Sequence, residues 1–358
     1  MKKFFKRNLF IILPINLIFI FILVCSLIKT NYEITSPGHI TKVENVISVE
    51  NSYESVGTFN TTSVYVNEKC TLLQYFLSFL SNTVIVEPIS EIVDGTSVRN
   101  SKSGTIQKNN SINNSIICAY KEAGFDIEYQ YLGVIIHTLA IDSTTDLEVG
   151  DIISAVAGYE FDSMDEFYNI FNAARRSELF FDAEAGVCNL PLTVNGEERI
   201  VSTNLVNHTA SGVPYPVFGF YIYDQYEIVK EETTPQYSVK KSYTGGPSGG
   251  LLQTLSVYDS LTPGDLTHGL TIAGTGTINI DGSVGAIGGM YSKIFTAYYS
   301  GCDIFFVPYY ESDTGETNYE EAIRAYEVLG CPEDFVIVPV STFEQAVDYL
   351  EKLGDTNA

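Results

Sequence analysis

From Leu9 to Ile28 the chain runs for 20 residues without a charged side chain, with Lys2, Lys3, Lys6 and Arg7 before the run and Lys29 after it. In hydrocarbon every backbone N–H and C=O needs a partner within the segment, so a run of this kind has one single-chain solution, a helix. At ~1.5 Å per residue it spans the ~30 Å core of a bilayer. Pro14 and Asn16 are tolerable in such a helix. The heavier basic flank precedes the run, so the N-terminus is expected in the cytoplasm and residues from about 30 onward outside, in a single-pass cell-membrane protein. The alternative is a cleaved signal peptide. Its apolar core would be shorter, and no small-x-small cleavage site follows. A lipoprotein site at Cys25 meets Val24 where a small residue is wanted.

The remaining chain is long enough for two or three domains. The net charge is −24, and the basic N-terminus leaves −28 on everything after it. That balance argues against nucleic acid as a partner. The six cysteines, at 25, 70, 118, 188, 302 and 331, show no C-x-x-C pair and no histidine spacing, so no metal is expected. A disulfide between Cys302 and Cys331 is conceivable outside the cell. No G-x-x-x-x-G-K-[ST] loop occurs, so ATP is not expected either, and no cofactor is implied.

Two stretches carry the chemistry. Tyr243-Thr-Gly-Gly-Pro-Ser-Gly-Gly-Leu-Leu252 places Ser248 between glycines, just ahead of an apolar run. This reads as a tight loop opening a helix, where free N–H donors and the positive end of the dipole suit a developing oxyanion. Gly288-Gly-Met-Tyr-Ser-Lys-Ile-Phe-Thr-Ala297, read as a helix, puts Lys293 on the side of the apolar stripe of Met290, Ile294 and Ala297. A lysine half-buried this way has a depressed pKa and can take a proton from a serine hydroxyl. The plainer reading is that Lys293 snorkels to solvent and the glycines only make turns. Gly246-Pro-Ser-Gly-Gly250 also satisfies the nucleophile-elbow pattern of α/β-hydrolases. That chemistry needs an acid and a histidine after the serine, and of the four histidines (39, 137, 208, 268) only His268 follows.

Four blocks in order, Gly246-Pro-Ser-Gly-Gly250, Ala273-Gly-Thr-Gly-Thr277, Gly282-Ser-Val-Gly-Ala-Ile-Gly-Gly289 and Lys293, resemble the proteolytic domain of Lon-type serine proteases, over about Val217 to Leu353. The resemblance implies Ser248 as nucleophile and Lys293 as general base, with Thr275 supporting the lysine. It also implies that Gly246, Pro247 and Gly249 shape the loop whose N–H groups hold the oxyanion. Gly249 stands where an alanine is usual, and Tyr291 where many Lon proteins carry a further lysine.

Upstream, Tyr131-Leu-Gly-Val-Ile-Ile136, Leu147-Glu-Val-Gly-Asp-Ile-Ile153 and a helix from Ser163 to Ala174 resemble a PDZ domain. The resemblance implies that a peptide adds as a strand beside Leu132, Gly133, Val134 and Ile135. A generic α+β unit is the other reading. Residues 30–117 read as short strands, as at Ser63–Val66, with a short helix at Leu72–Leu80 and an exposed Asn/Ser-rich loop over 100–115. The Asn31-Tyr-Glu-Ile-Thr-Ser-Pro-Gly38 entry resembles the membrane-anchored PDZ–Lon proteins of Gram-positive bacteria, the YlbL-like group.

The expected fold class is therefore α+β: an N-terminal transmembrane helix, a mainly β membrane-proximal region carrying a PDZ domain, and a C-terminal Lon-type α/β proteolytic domain. The divisions fall at 1–29, 30–123, 124–206 and 215–355. The resemblance implies an ATP-independent serine endopeptidase whose peptide or protein substrates are selected by the PDZ domain, and it allows a homo-oligomer. The alternative is a PDZ-based adaptor with a silent Lon-like domain.

Overall fold

The computed structural model describes residues 2–357 apart from 90–96, 142, 176, 178, 183, 205, 211–212, 218, 243 and 312–314. It is a mixed α+β structure with eight helices among the described residues: α1 (Lys2–Leu27), α2 (Leu72–Ser78), α3 (Ser97–Glu122), α4 (Met164–Arg175), α5 (Gly250–Leu261), α6 (Met290–Tyr299), α7 (Asn318–Val328) and α8 (Phe343–Asn357). α1 contains Phe10–Leu27, which is long and apolar enough to cross a membrane and is almost wholly exposed.

One architectural unit is built on a six-stranded sheet. Its order is Val336–Val340, Ile304–Pro308, Thr271–Gly274, Thr58–Asn67, Tyr32–Lys42 and Ile85–Pro88. The first four are mutually parallel, and the last two pairings are antiparallel. The strand Ile304–Pro308 is buried on both faces, which its continuous Ile-Phe-Phe-Val run anticipates. Its alternate residues enter different cores. Ile304 and Phe306 pack with α3, α5 and α8, while Phe305 and Val307 pack with α6 and α7. The result is three layers, helix–sheet–helix.

A second sheet of seven strands is built on Glu197–Asn204, Val187–Val194, Ile152–Val156, Tyr129–Leu139 and Phe220–Ile228, in that order, with α4 packed on it. α3 lies between the two sheets, against α5 on one side and the strands Tyr129–Leu139 and Phe220–Ile228 on the other.

Three expectations change here. The stretch 100–115 is no loop but the middle of α3. Asn and Ser disfavour helix in isolation because their side chains compete for backbone groups. Here Ile112 and Ile116 pack into the core shared with α5, Ile106 packs on the core of the seven-stranded sheet described above, and the polar side chains find partners in neighbouring elements. Second, residues 30–123 do not stand apart from 215–355. Thr58–Thr61 pairs with Thr271–Gly274, so a strand from before residues 124–206 completes the sheet of the C-terminal segment. Third, Phe220–Ile228 pairs with Tyr129–Leu139 in the seven-stranded sheet, although the sequence places it at the start of the C-terminal unit.

Candidate active site

α5 and α6 flank opposite faces of the six-stranded sheet, and their first turns meet around one strand end. Thr271–Gly274 is only four residues long. Thr275 follows Gly274 directly, its N–H bonded to the Phe306 carbonyl at 3.1 Å and its hydroxyl reaching both Ser248 and Lys293. The carboxyl end of a parallel strand is where open α/β sheets place their sites.

Ser248 comes from the turn before α5. Gly246, at φ +93°, donates its N–H to the Gly104 carbonyl of α3 at 2.8 Å. At that φ a side chain would be strained, so glycine is required. Gly245 also packs on Gly104, where a built Cβ would approach the α3 backbone to 3.3 Å. The carbonyl of Ser248 accepts from Gly276 N at 2.9 Å and from Thr275 Oγ1 at 3.0 Å. The carbonyl of Pro247 accepts from Ser111 Oγ at 2.9 Å, and that of Gly250 from Ser115 Oγ at 3.0 Å. The Ser248 turn is therefore tied to two separate elements. The N–H groups of Ser248 and Gly249 have no acceptor among the described residues and are free for an oxyanion at the start of α5.

Lys293 rises from the first turn of α6, whose N-cap Gly289 has the left-handed φ of +71°. The side chain is 3% exposed. Its Nζ lies 2.9 Å from Ser248 Oγ and 3.0 Å from Thr275 Oγ1. Burial pulls its pKa from the usual lysine value to about 7, against a smaller upward pull from Glu321. Neutral Lys293 has two protons and one lone pair. The Thr275 hydroxyl spends its own proton on the Ser248 carbonyl, so it can only accept from Nζ. That acceptance fixes one N–H and helps turn the lone pair to Ser248. The arrangement can deprotonate a serine hydroxyl near neutral pH.

The departure at Gly249 has a local cause. A Cβ there would sit 3.0 Å from both Thr61 Cγ2 and Gln253 Nε2, tighter than ordinary contact. Tyr291, in place of a further lysine, lies against Arg324, with the guanidinium 4.7 Å from the ring centre. His268 hydrogen-bonds the Leu350 carbonyl of α8 at 2.9 Å and so is engaged away from Ser248.

The Ser248–Lys293 pair opens onto a cleft of about 1020 Å³. Its walls include Thr61–Val66, Ala286–Gly288, Tyr223, Lys108 and Lys241. Lys108 donates to the Ser242 carbonyl at 2.7 Å, and burial, then Lys241, lowers its pKa. Sequence reasoning missed Ser111, Ser115, Lys108 and Gly104 entirely. The available signal was helical spacing in α3, with Gln107, Ser111 and Ser115 four apart and the isoleucines on neighbouring rows.

Leu132, Gly133, Val134 and Ile135 lie elsewhere, in the seven-stranded sheet. Gly133, Val134 and Ile135 face Gln225, Asp224 and Tyr223 on one side, while Val134 and Ile135 pair with Ile153 and Ile152 on the other. The edge expected to receive a peptide is thus occupied by the chain's own strand Phe220–Ile228. Phe220 packs on Phe171 of α4, so this strand lies beside that helix as well. Gly133 has a structural role instead. At φ +116°, a Cβ would come within 2.1 Å of the Ile153 carbonyl oxygen.

All six cysteines are free, including Cys302 and Cys331. No cluster of His, Cys, Asp and Glu that could hold a metal occurs among the described residues.

No family model matches the chain. A Lon protease of Mesomycoplasma hyopneumoniae (strain 232) is 30% identical over 107 residues, which is 30% of this chain. The chain spans about 11% of the length of that curated relative. The likeness is distant, and it reaches a protease.

Proposed function

We propose that the chain is a membrane-anchored, ATP-independent serine endopeptidase acting through a Ser248–Lys293 dyad. The observation that carries this reading is a lysine 3% exposed with its Nζ 2.9 Å from a serine hydroxyl at a helix start. A buried ammonium costs free energy, so such a contact has a chemical rationale and a poor structural one.

Neutral Lys293 accepts the Ser248 proton as Oγ bonds to the peptide carbonyl carbon. The oxyanion is held by the N–H groups of Ser248 and Gly249. The intermediate collapses, the Lys293 ammonium returns the proton to the leaving amine, and the C–N bond breaks. Water then attacks the acyl-enzyme, losing its proton to Lys293. The ester C–O bond breaks, the released acid departs and Ser248 Oγ is reprotonated.

The apolar α1 supports anchoring, with residues from about 30 onward outside the cell. The sequence contains no P-loop, which supports independence from ATP, so substrates are short, unfolded or flexible segments. Residues 124–206 form a PDZ-like unit in this reading. With its peptide edge filled, substrate choice falls to the cleft beside Ser248.

The test uses the full-length protein in detergent with an unstructured protein substrate and no ATP, fragments being followed by mass spectrometry. Wild type is expected to cut, and Ser248→Ala and Lys293→Ala each to abolish cutting while remaining folded. Cutting at the wild-type rate in either variant removes that residue from the mechanism.

A further inference from the structure

The molecule carries an apolar surface that the proposed reaction does not use. Residues 70–86 contain no charged side chain, where the chain's 18% charged content would put about three. Within this stretch α2 is closed at its start by a reciprocal Thr71–Gln74 capping box and so keeps a definite orientation. On its outer side Phe79 is 69% and Leu80 84% exposed, with Phe76 and Leu77 about half exposed. Four large apolar side chains side by side in water mark an interaction surface.

The position of α2 says what covers it. The N–H of Leu72 donates to the Ile28 carbonyl at 2.8 Å, and Thr30 N donates to the Cys70 carbonyl at 2.9 Å. Lys29 bridges to Thr71. α1 and α2 are in contact, and Cys25 is 2% exposed although the helix around it is bare. α2 is therefore hydrogen-bonded to the outer end of the apolar helix, at the level where hydrocarbon gives way to head groups. Its chemistry suits that level. Tyr75 packs on Tyr32, Phe76 and Phe79, with ring centres 4.9, 6.1 and 5.2 Å apart. Aromatic rings with a polar tip are favoured in this zone. Lys29 and Lys69, both exposed, bracket the patch and can reach lipid phosphates while their stems stay apolar.

We infer that α2 and the residues following it, through Leu80, lie in the interfacial layer of the bilayer, so that the globular part has a second, monotopic lipid contact beside its transmembrane helix. The occupant is phospholipid, and the inference rests on the reading of α1 as a membrane span. Two contacts fix the tilt of the domain where a single helix would leave it free to swing.

Photocrosslinking tests this on the full-length protein in vesicles of phosphatidylcholine and phosphatidylglycerol. p-Benzoylphenylalanine is placed singly at Phe79 or Phe76, at Phe19 within α1, and at Ile200, an exposed apolar control 70% accessible on the far sheet. Mass spectrometry counts lipid adducts after irradiation. The expected result is lipid adducts at 19, 76 and 79, at least about tenfold above position 200. Adducts at 19 with only the level of 200 at 76 and 79 overturn the interfacial contact and leave the anchor standing. Crosslinks from 76 or 79 to a second copy of the chain overturn it in favour of a protein interface. No lipid adduct even at 19 removes the anchor and this inference together.

Discussion

Thr275 Oγ1 stands 3.0 Å from Lys293 Nζ while donating its own proton to the Ser248 carbonyl at 3.0 Å. One hydroxyl thus ties the amine of Lys293 to the backbone of Ser248. Because its proton is committed, it orients the amine and cannot compete with Ser248 as the proton donor. Thr275→Val should keep the shape and lose both bonds, lowering kcat by about 10–100-fold, with KM little changed. Thr275→Ser should restore most of the rate. A valine variant with wild-type kcat would show that Thr275 only fills space.

Activity should depend on the free amine of Lys293, whose pKa burial lowers to about 7. kcat/KM should rise about tenfold per pH unit below that value and level off above it. Glu321 pulls the pKa upward, so Glu321→Gln should move the acid limb to lower pH. A limb that stays in place would mean that Glu321 is not sensed at the dyad.

The same shift has a consequence for stability. The folded-state pKa lies below that of the unfolded chain, near 10.5. Between those values the unfolded state binds more protons, so stability falls as pH drops from about 10 to about 7 and the cost is complete below. Lys293→Met removes the titrating group and should raise the melting temperature, by more at pH 7 than at pH 10. Equal melting curves at both pH values would place the ammonium in solvent.

Ser111 and Ser115 of α3 hold the carbonyls of Pro247 and Gly250. Ser111→Ala should cost about 1 kcal/mol of stability, the usual worth of one hydrogen bond. It should also slow turnover several-fold, because the nucleophile turn loses one of its ties. Chemical denaturation beside steady-state kinetics separates the two. Loss of stability with an unchanged rate would make α3 a structural support alone.

Gly250 opens α5 under the 277–278 strand, and a Cβ there would lie 2.8 Å from both Ile278 N and Ile278 Cγ2. Backbone cannot yield cheaply at that distance, so Gly250→Ala should destabilise by about 1–3 kcal/mol. A denaturation midpoint matching wild type would show that the contact has slack.

Much was already legible in the sequence because local chemistry decided it. The uncharged run before Lys29 forms a helix long and apolar enough to cross a membrane. Gly-Pro-Ser-Gly-Gly called for a tight turn, and Lys293 on the apolar side of Met290 and Ile294 left a buried amine open beside a snorkelling one. The strands at 304–308 and 336–340 and helices α7 and α8 followed from unbroken hydrophobic runs and 3.6-residue periodicity. What escaped was decided by partners distant in the chain. α3 forms because Ser111, Asn114 and Ser115 find acceptors on α5 and beside it, more than 130 residues away, which overrides the weak helix propensity of Asn and Ser. The strand Thr58–Asn67 joins the sheet of the C-terminal segment through a parallel pairing that no local pattern encodes. Phe220–Ile228 fills the edge at Gly133 because its alternating Phe220 and Ile222 fit the core beside α4, leaving no room there for a peptide. Residue type and spacing fixed which groups could react; only long-range pairing fixed what holds them in place and which edges stay open.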